Sequence, residues 1–108
     1  EAAEADEQNV SAWLADAARP APQVLDVREP REVAIAALPG AIAIPMGRVP
    51  AEADALDASR PVVCVSHHGM RSMQVAAYLA RRGFGEVWNL TGGIDAWARQ
   101  VDPDCPTY

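Results

Sequence analysis

Positive charge is what this sequence has least of. Lys and Arg together number 9 against 15 Asp and Glu, for a formal net charge of -6 and a pI near 4.7. A nucleic-acid binder needs basic side chains to neutralise phosphates, so this balance argues against DNA or RNA as a partner. Acidity at this level serves solubility. Long apolar runs are missing too: none approaches the roughly 20 residues of a membrane helix, and no membrane partner is expected. No charged-then-apolar signal segment opens the chain, although it begins at Glu1 rather than Met, which leaves an upstream segment open. Cysteine is scarce. Cys64 sits in an apolar run and Cys105 in a proline-flanked tail, which makes no disulfide framework, so the default environment is a reducing cytoplasm. His67 and His68 are adjacent, but neither cysteine nor any carboxylate falls at ligand spacing from them, so no metal is expected. Gly92-Gly93 lacks the Lys-Ser/Thr that completes a nucleotide loop and reads as turn geometry, and no cofactor is called for.

What remains is ordinary globular material, half apolar and 22% charged. At 108 residues and 11.5 kDa the chain supports one core, and residues 1–108 read as a single domain. Val10, Trp13, Leu14 and Ala17 recur at helical spacing within residues 7–18, a helix ended by Pro20 and Pro22. Strands are expected at 23–27, 41–44, 61–65 and 86–90, with helices at 31–37, 72–82 and 94–99 and a single helical turn at 52–56. Gly83 after Arg81-Arg82 makes a good stop for the 72–82 helix. Residues 1–6 are acidic and Ala-rich and show no clear strand; the tail 101–108 reads as irregular. Strands alternating with helices predict an α/β fold in three layers, a mainly parallel central sheet with helices on both faces. Ligands in such sheets lie beyond the carboxyl ends of the strands, which directs attention to the loop after Val65.

That loop runs Ser66-His67-His68-Gly69-Met70-Arg71-Ser72 between a buried strand and a helix. A short connection of this kind can curl so that successive backbone N–H groups point inward, at the positive end of the helix dipole, and hold an anion. Gly69 permits the tight curl, and Arg71 adds a planar, permanently charged fork suited to an oxyanion. The same geometry lowers the pKa of a cysteine that opens such a loop. Here the opening residue is Ser66, a poor nucleophile without a base, and adjacent histidines in a curled loop tend to splay away from it. Cys64 lies two strand residues earlier, about 6.6 Å back by the strand rise, where a buried thiol behaves as a small hydrophobe. Trp13, Trp88 and Trp97 read as core or rim packing.

Four segments carry a resemblance that covers almost the whole chain: Leu25-Asp26-Val27-Arg28-Glu29-Pro30; Leu38-Pro39-Gly40-Ala41-Ile42 followed by Ile44-Pro45; His67-His68-Gly69-Met70-Arg71-Ser72; and Asn89-Leu90-Thr91-Gly92-Gly93-Ile94-Asp95-Ala96-Trp97. In this order and spacing they resemble a single-domain rhodanese of the thiosulfate sulfurtransferase family. The resemblance implies a cysteine that accepts sulfur from an anionic donor such as thiosulfate and passes it, as a persulfide, to cyanide, a thiol or a protein acceptor. Counting back from Gly69 and Arg71, that cysteine's position is occupied by Ser66. The resemblance further implies that Ser66 marks the nucleophile position with Arg71 beside it. His67, His68, Gly69, Met70, Ser72 and Arg28 would face the substrate, and Asp26 would support the loop. For Asp26 and Arg28 a surface ion pair of little worth is the alternative, and for the two histidines simple solvent exposure is.

Two expectations follow. One is a sulfurtransferase scaffold silenced by Ser66; the other is a naturally non-catalytic domain that holds an anion or a partner protein. The serine fits a natural departure and an introduced substitution equally well, so turnover stays open at this level. A phosphatase reading fares worst, because phosphatase loops of this type are one residue longer and carry the nucleophile.

Overall fold

Alternation of side chains along β4 (Val62–Val65) organises the molecule. All four of its residues are buried, with Val62 and Cys64 in one hydrophobic cluster and Val63 and Val65 in another. A strand buried on both faces must sit in the middle of a covered sheet. The computed structural model describes all 108 residues and places β4 at the centre of a five-stranded sheet in the order β1-β5-β4-β2-β3, every pairing parallel. The strands are β1 (Ala3–Ala5), β2 (Gln23–Asp26), β3 (Ile42–Ala43), β4 and β5 (Val87–Leu90). The helices are α1 (Glu7–Ala15), α2 (Pro30–Ile35), α3 (Val49–Glu52), α4 (Met70–Arg81) and α5 (Gly93–Gln100).

One face of the sheet packs Leu25, Val62, Cys64 and Val87 against Val49 of α3 and Val75, Ala76 and Leu79 of α4. The other packs Val24, Val63, Val65 and Leu90 against Val10 and Trp13 of α1 and Ile94 and Trp97 of α5. This is the expected three-layer α/β architecture. No helix is long and apolar enough to cross a membrane.

The differences from the sequence expectation lie at element ends, in the segment 46–55 and in one added strand. Helix α1 stops at Ala15, three residues short of Ala18, because Asp16 turns extended and its side chain takes the Ala18 amide. The segment 46–55, expected as loop and one helical turn, winds continuously as 3-10 turn, α3 and 3-10 turn. Residues 3–5 do form a strand: β1 has no buried face of its own but pairs with Trp88 to Leu90, an arrangement that only the tertiary fold supplies. Helix α4 begins at Met70, inside the loop, since Gly69 at φ +99° serves as its N-cap.

Candidate active site

Strand β4 delivers Ser66 to the α4 side of the sheet, at 1% exposure. Its Oγ accepts the Gly69 N–H at 3.2 Å and the Ser72 N–H at 3.1 Å, so Ser66 caps α4 through space. Ser66 Oγ also lies 2.8 Å from Ser72 Oγ, and Ser72 Oγ donates to Asn89 Oδ1 at 2.5 Å.

The loop sorts its backbone polarity. Its carbonyls turn towards α5 and β5: Ile94 N–H donates to Ser66 O at 2.9 Å, Asp95 N–H to His67 O at 3.0 Å and Asn89 Nδ2 to Gly69 O at 3.1 Å. The loop's amides divide into two sets. Those of Gly69 and Ser72 meet on Ser66 Oγ, while those of His67, His68, Met70 and Arg71 form no hydrogen bond within the chain. Two glycines allow this approach. A Cβ on Gly69 would lie 2.1 Å from Thr91 O, and one on Gly93, at φ +66°, 2.4 Å from His67 O. The Gly92-Gly93 turn is therefore backbone geometry that admits the loop, while the Gly92 amide donates to the buried Glu7 carboxylate at 2.8 Å.

Arg71 does not point freely at an anion. Its guanidinium makes a two-pronged pair with Glu32 of α2, at 2.7 and 2.9 Å. The Arg71 hydrogen bonds hold the Glu32 carboxyl well below the usual carboxylate range, against burial, which opposes them. Arg28, expected to face the substrate or to make a weak surface pair, does neither. It is fully buried, paired with Asp26 at 2.6 Å, and its remaining donors reach Glu32 O, Ala36 O and Tyr108 Oη. Burial removes both water and substrate from its guanidinium. Asp26 thus reaches the loop at second hand, through Arg28 and then α2.

The C-terminal residue joins this set. Tyr108 donates its hydroxyl to Glu32 at 2.8 Å, and its ring stacks on His67 at 3.9 Å and 6°. His67 Nε2 lies 2.9 Å from Tyr108 O, and His68 Nδ1 lies 3.9 Å from the Asp95 carboxylate, so neither histidine serves Ser66 as a base. Met70, at 64% exposure, stands at the loop's outer rim. Cys64 is fully buried among Leu25, Val62 and Val75, and burial pushes its thiol up to about 12. A separate cleft of about 360 Å³ between α1 and the β1–β5 edge is lined by Trp13, Trp88, Arg19 and Asp16, away from this chemistry.

The buried residue at the carboxyl end of a central parallel strand, the amides converging on it and the double glycine behind it are built by the third and fourth of the segments read from the sequence. The family model of the rhodanese-like domain matches residues 10–100. The chain belongs to the rhodanese-like family. This rhodanese-like domain is 40% identical over 100 residues to a sulfurtransferase of Allochromatium vinosum, covering 93% of this chain and 92% of that protein. It is 37% identical over 81 residues to the thiosulfate sulfurtransferase GlpE of Pseudomonas aeruginosa, covering 75% and 73%. A chloroplastic rhodanese-like/PpiC domain-containing protein of Arabidopsis thaliana is 42% identical over 90 residues, 80% of this chain but 30% of that longer protein. Among solved structures, a rhodanese-like domain protein from Staphylococcus aureus superposes with a TM-score of 0.83 at 27% identity, covering 97% of both chains.

Sequence reasoning passed over Glu32, Asn89, Glu7 and Tyr108. Asn89 had a signal, a lone polar residue in an apolar strand. Glu32 had half of one, three residues after Glu29 in a capping-box pattern. Nothing in the sequence links Tyr108 to position 67.

Proposed function

We propose that this domain is a rhodanese-type sulfurtransferase scaffold, a single unit over residues 1–108, whose reacting position is residue 66 and which is silent as it stands. One observation carries the reading: the loop brings the Gly69 and Ser72 amides to the side-chain atom at position 66. Two N–H donors at a helix N-terminus stabilise a thiolate or a persulfide. With a thiol at position 66, the thiolate attacks the outer sulfur of thiosulfate; the S–S bond breaks, sulfite leaves and a persulfide remains. Cyanide or a thiol then takes the outer sulfur as thiocyanate or a new persulfide, and the thiolate returns.

Ser66 lacks that chemistry. Its hydroxyl ionises far above neutrality, and its proton goes to Ser72, whose own proton goes to an amide oxygen rather than to a base. The free amides of His67, His68, Met70 and Arg71 are the proposed cradle for the donor's anionic end, with Gly69 and Ser72 shaping it. Arg71 contributes its charge from the Glu32 clamp. The donor is a small anionic sulfur compound, the acceptor a thiol, cyanide or a protein, and the compartment a reducing cytoplasm. The fully satisfied Ser66 hydroxyl supports a second reading, a non-catalytic domain that binds an anion or a partner protein.

Thiosulfate-to-cyanide transfer, measured as thiocyanate for the chain and for Ser66→Cys, tests the proposal. The unmodified chain should be inert and the variant active. Two inert proteins that still bind thiosulfate by calorimetry would favour the binding reading. Activity of the unmodified chain that vanishes with Cys64→Ala would remove position 66 from the chemistry.

A further inference from the structure

Behind the loop, a line of polar groups runs from Ser66 through Ser72 and Asn89 to Glu4, and each link has one possible direction. Asn89 Nδ2 faces the Glu4 carboxylate oxygens at 2.9 and 3.3 Å and the Gly69 carbonyl at 3.1 Å, none of which donates. Turning the Asn89 amide over would set its oxygen against these acceptors, so Oδ1 stays aimed at Ser72. Ser72 Oγ, 2.5 Å from Oδ1, must donate to it. With its proton so committed, Ser72 Oγ accepts from position 66 at 2.8 Å. Ser66 meets this demand: it donates one proton and receives the Gly69 and Ser72 amides. Accordingly, no buried side-chain polar atom lacks a partner.

We infer that Asn89 is a positioning residue for position 66: by holding Ser72 Oγ as an acceptor, it makes the site complementary to a protonated group there and opposes a thiolate. The inference rests on position 66 being the reacting position. A thiolate has no proton for Ser72. For the Ser72 hydroxyl to turn and donate to sulfur, it must abandon Asn89 and leave two oxygens with opposed lone pairs at 2.5 Å. The Gly69 and Ser72 amides pull towards the thiolate, while the Asn89–Ser72 link pulls towards the thiol. Ser72 therefore acts at this site with a sign opposite to that of a hydroxyl donor.

The test is the pH dependence of alkylation at position 66, mapped by mass spectrometry to separate it from Cys64 and Cys105. It compares the full-length Ser66→Cys protein alone, with Ser72→Ala, with Asn89→Leu, and with both. Ser72→Ala should leave the midpoint unchanged or lower it. Asn89→Leu should lower it, giving about tenfold more thiolate at a given pH, and should add nothing once Ser72 is Ala. A midpoint raised by Ser72→Ala would overturn the inference, because Ser72 would then be donating to the thiolate. An Asn89→Leu effect of equal size in both backgrounds would overturn it as well. If Asn89→Leu does not fold, the sign for Ser72→Ala still decides. The titration needs no turnover, so an inactive Ser66→Cys protein would count against sulfur transfer while the order of midpoints still reads the role of Asn89.

Discussion

Replacing Glu32 by Gln isolates the charge that ties the loop to α2. The Glu32 carboxylate accepts two hydrogen bonds from Arg71 at 2.7 and 2.9 Å, one from Tyr108 Oη at 2.8 Å and the Glu29 N–H at 3.1 Å. Gln keeps the shape but loses the charge and one acceptor oxygen. The Glu32 side chain is 11% exposed and that of Arg71 34%, so water compensates on the arginine side only in part. Hydrogen bonds to charged groups contribute about 1.5–3 kcal/mol, and discounting for the exposed partner leaves about 1.5–2 kcal/mol. In a domain of this size that lowers Tm by roughly 6–15 °C. The pH dependence has a definite sign. The Arg71 hydrogen bonds put the folded carboxyl below its usual 4.5, so the unfolded chain binds the proton first. The stabilisation is complete above about pH 4.5 and fades as the pH falls towards the folded value. Urea denaturation of Glu32→Gln and the parent chain at about pH 7 and about pH 3 should show a gap that narrows in acid. Equal stability at neutral pH, or a gap of constant size, would refute the clamp.

Gly93→Ala forces a side chain into φ +66° with its Cβ 2.4 Å from His67 O. It should cost at least about 1–3 kcal/mol and move the amide resonances of residues 66–71; an unchanged Tm and spectrum would show that the close approach does not matter. Ser66→Ala strands the Gly69 and Ser72 amides that now end on Ser66 Oγ. It should destabilise by about 1–3 kcal/mol, against about 0.5 or less for the exposed Ser59→Ala, and equal costs for the two would contradict the capping role. In the native chain a thiol reagent should label Cys105 alone, and slowly, since burial raises that thiol as well. Cys64, pushed up to about 12 by burial, should react only on unfolding, so rapid native labelling of both would refute its place in the core.

Local chemistry determined much of this protein. Short apolar runs punctuated by proline and glycine wrote four of the five strands, helical spacing wrote α1 and α4, and Gly69 with Arg71 marked the loop, because each of these depends on residues close in the chain. Ser66 as the proposed reacting position came from the family resemblance, by counting back from Gly69 and Arg71. Only the tertiary structure decided the rest. Strand β1 exists because β5 offers it an edge. Arg28 is drawn into the interior by Asp26, Glu32 and Tyr108 rather than left at the rim. Arg71 is held by Glu32, 39 residues away, and His67 by Tyr108, 41 residues away, contacts that no local pattern encodes. The direction of the Ser66–Ser72–Asn89 hydrogen bonds likewise depends on two acceptors that the fold brings to Asn89, the Gly69 carbonyl and the Glu4 carboxylate, the latter by pairing β1 with β5.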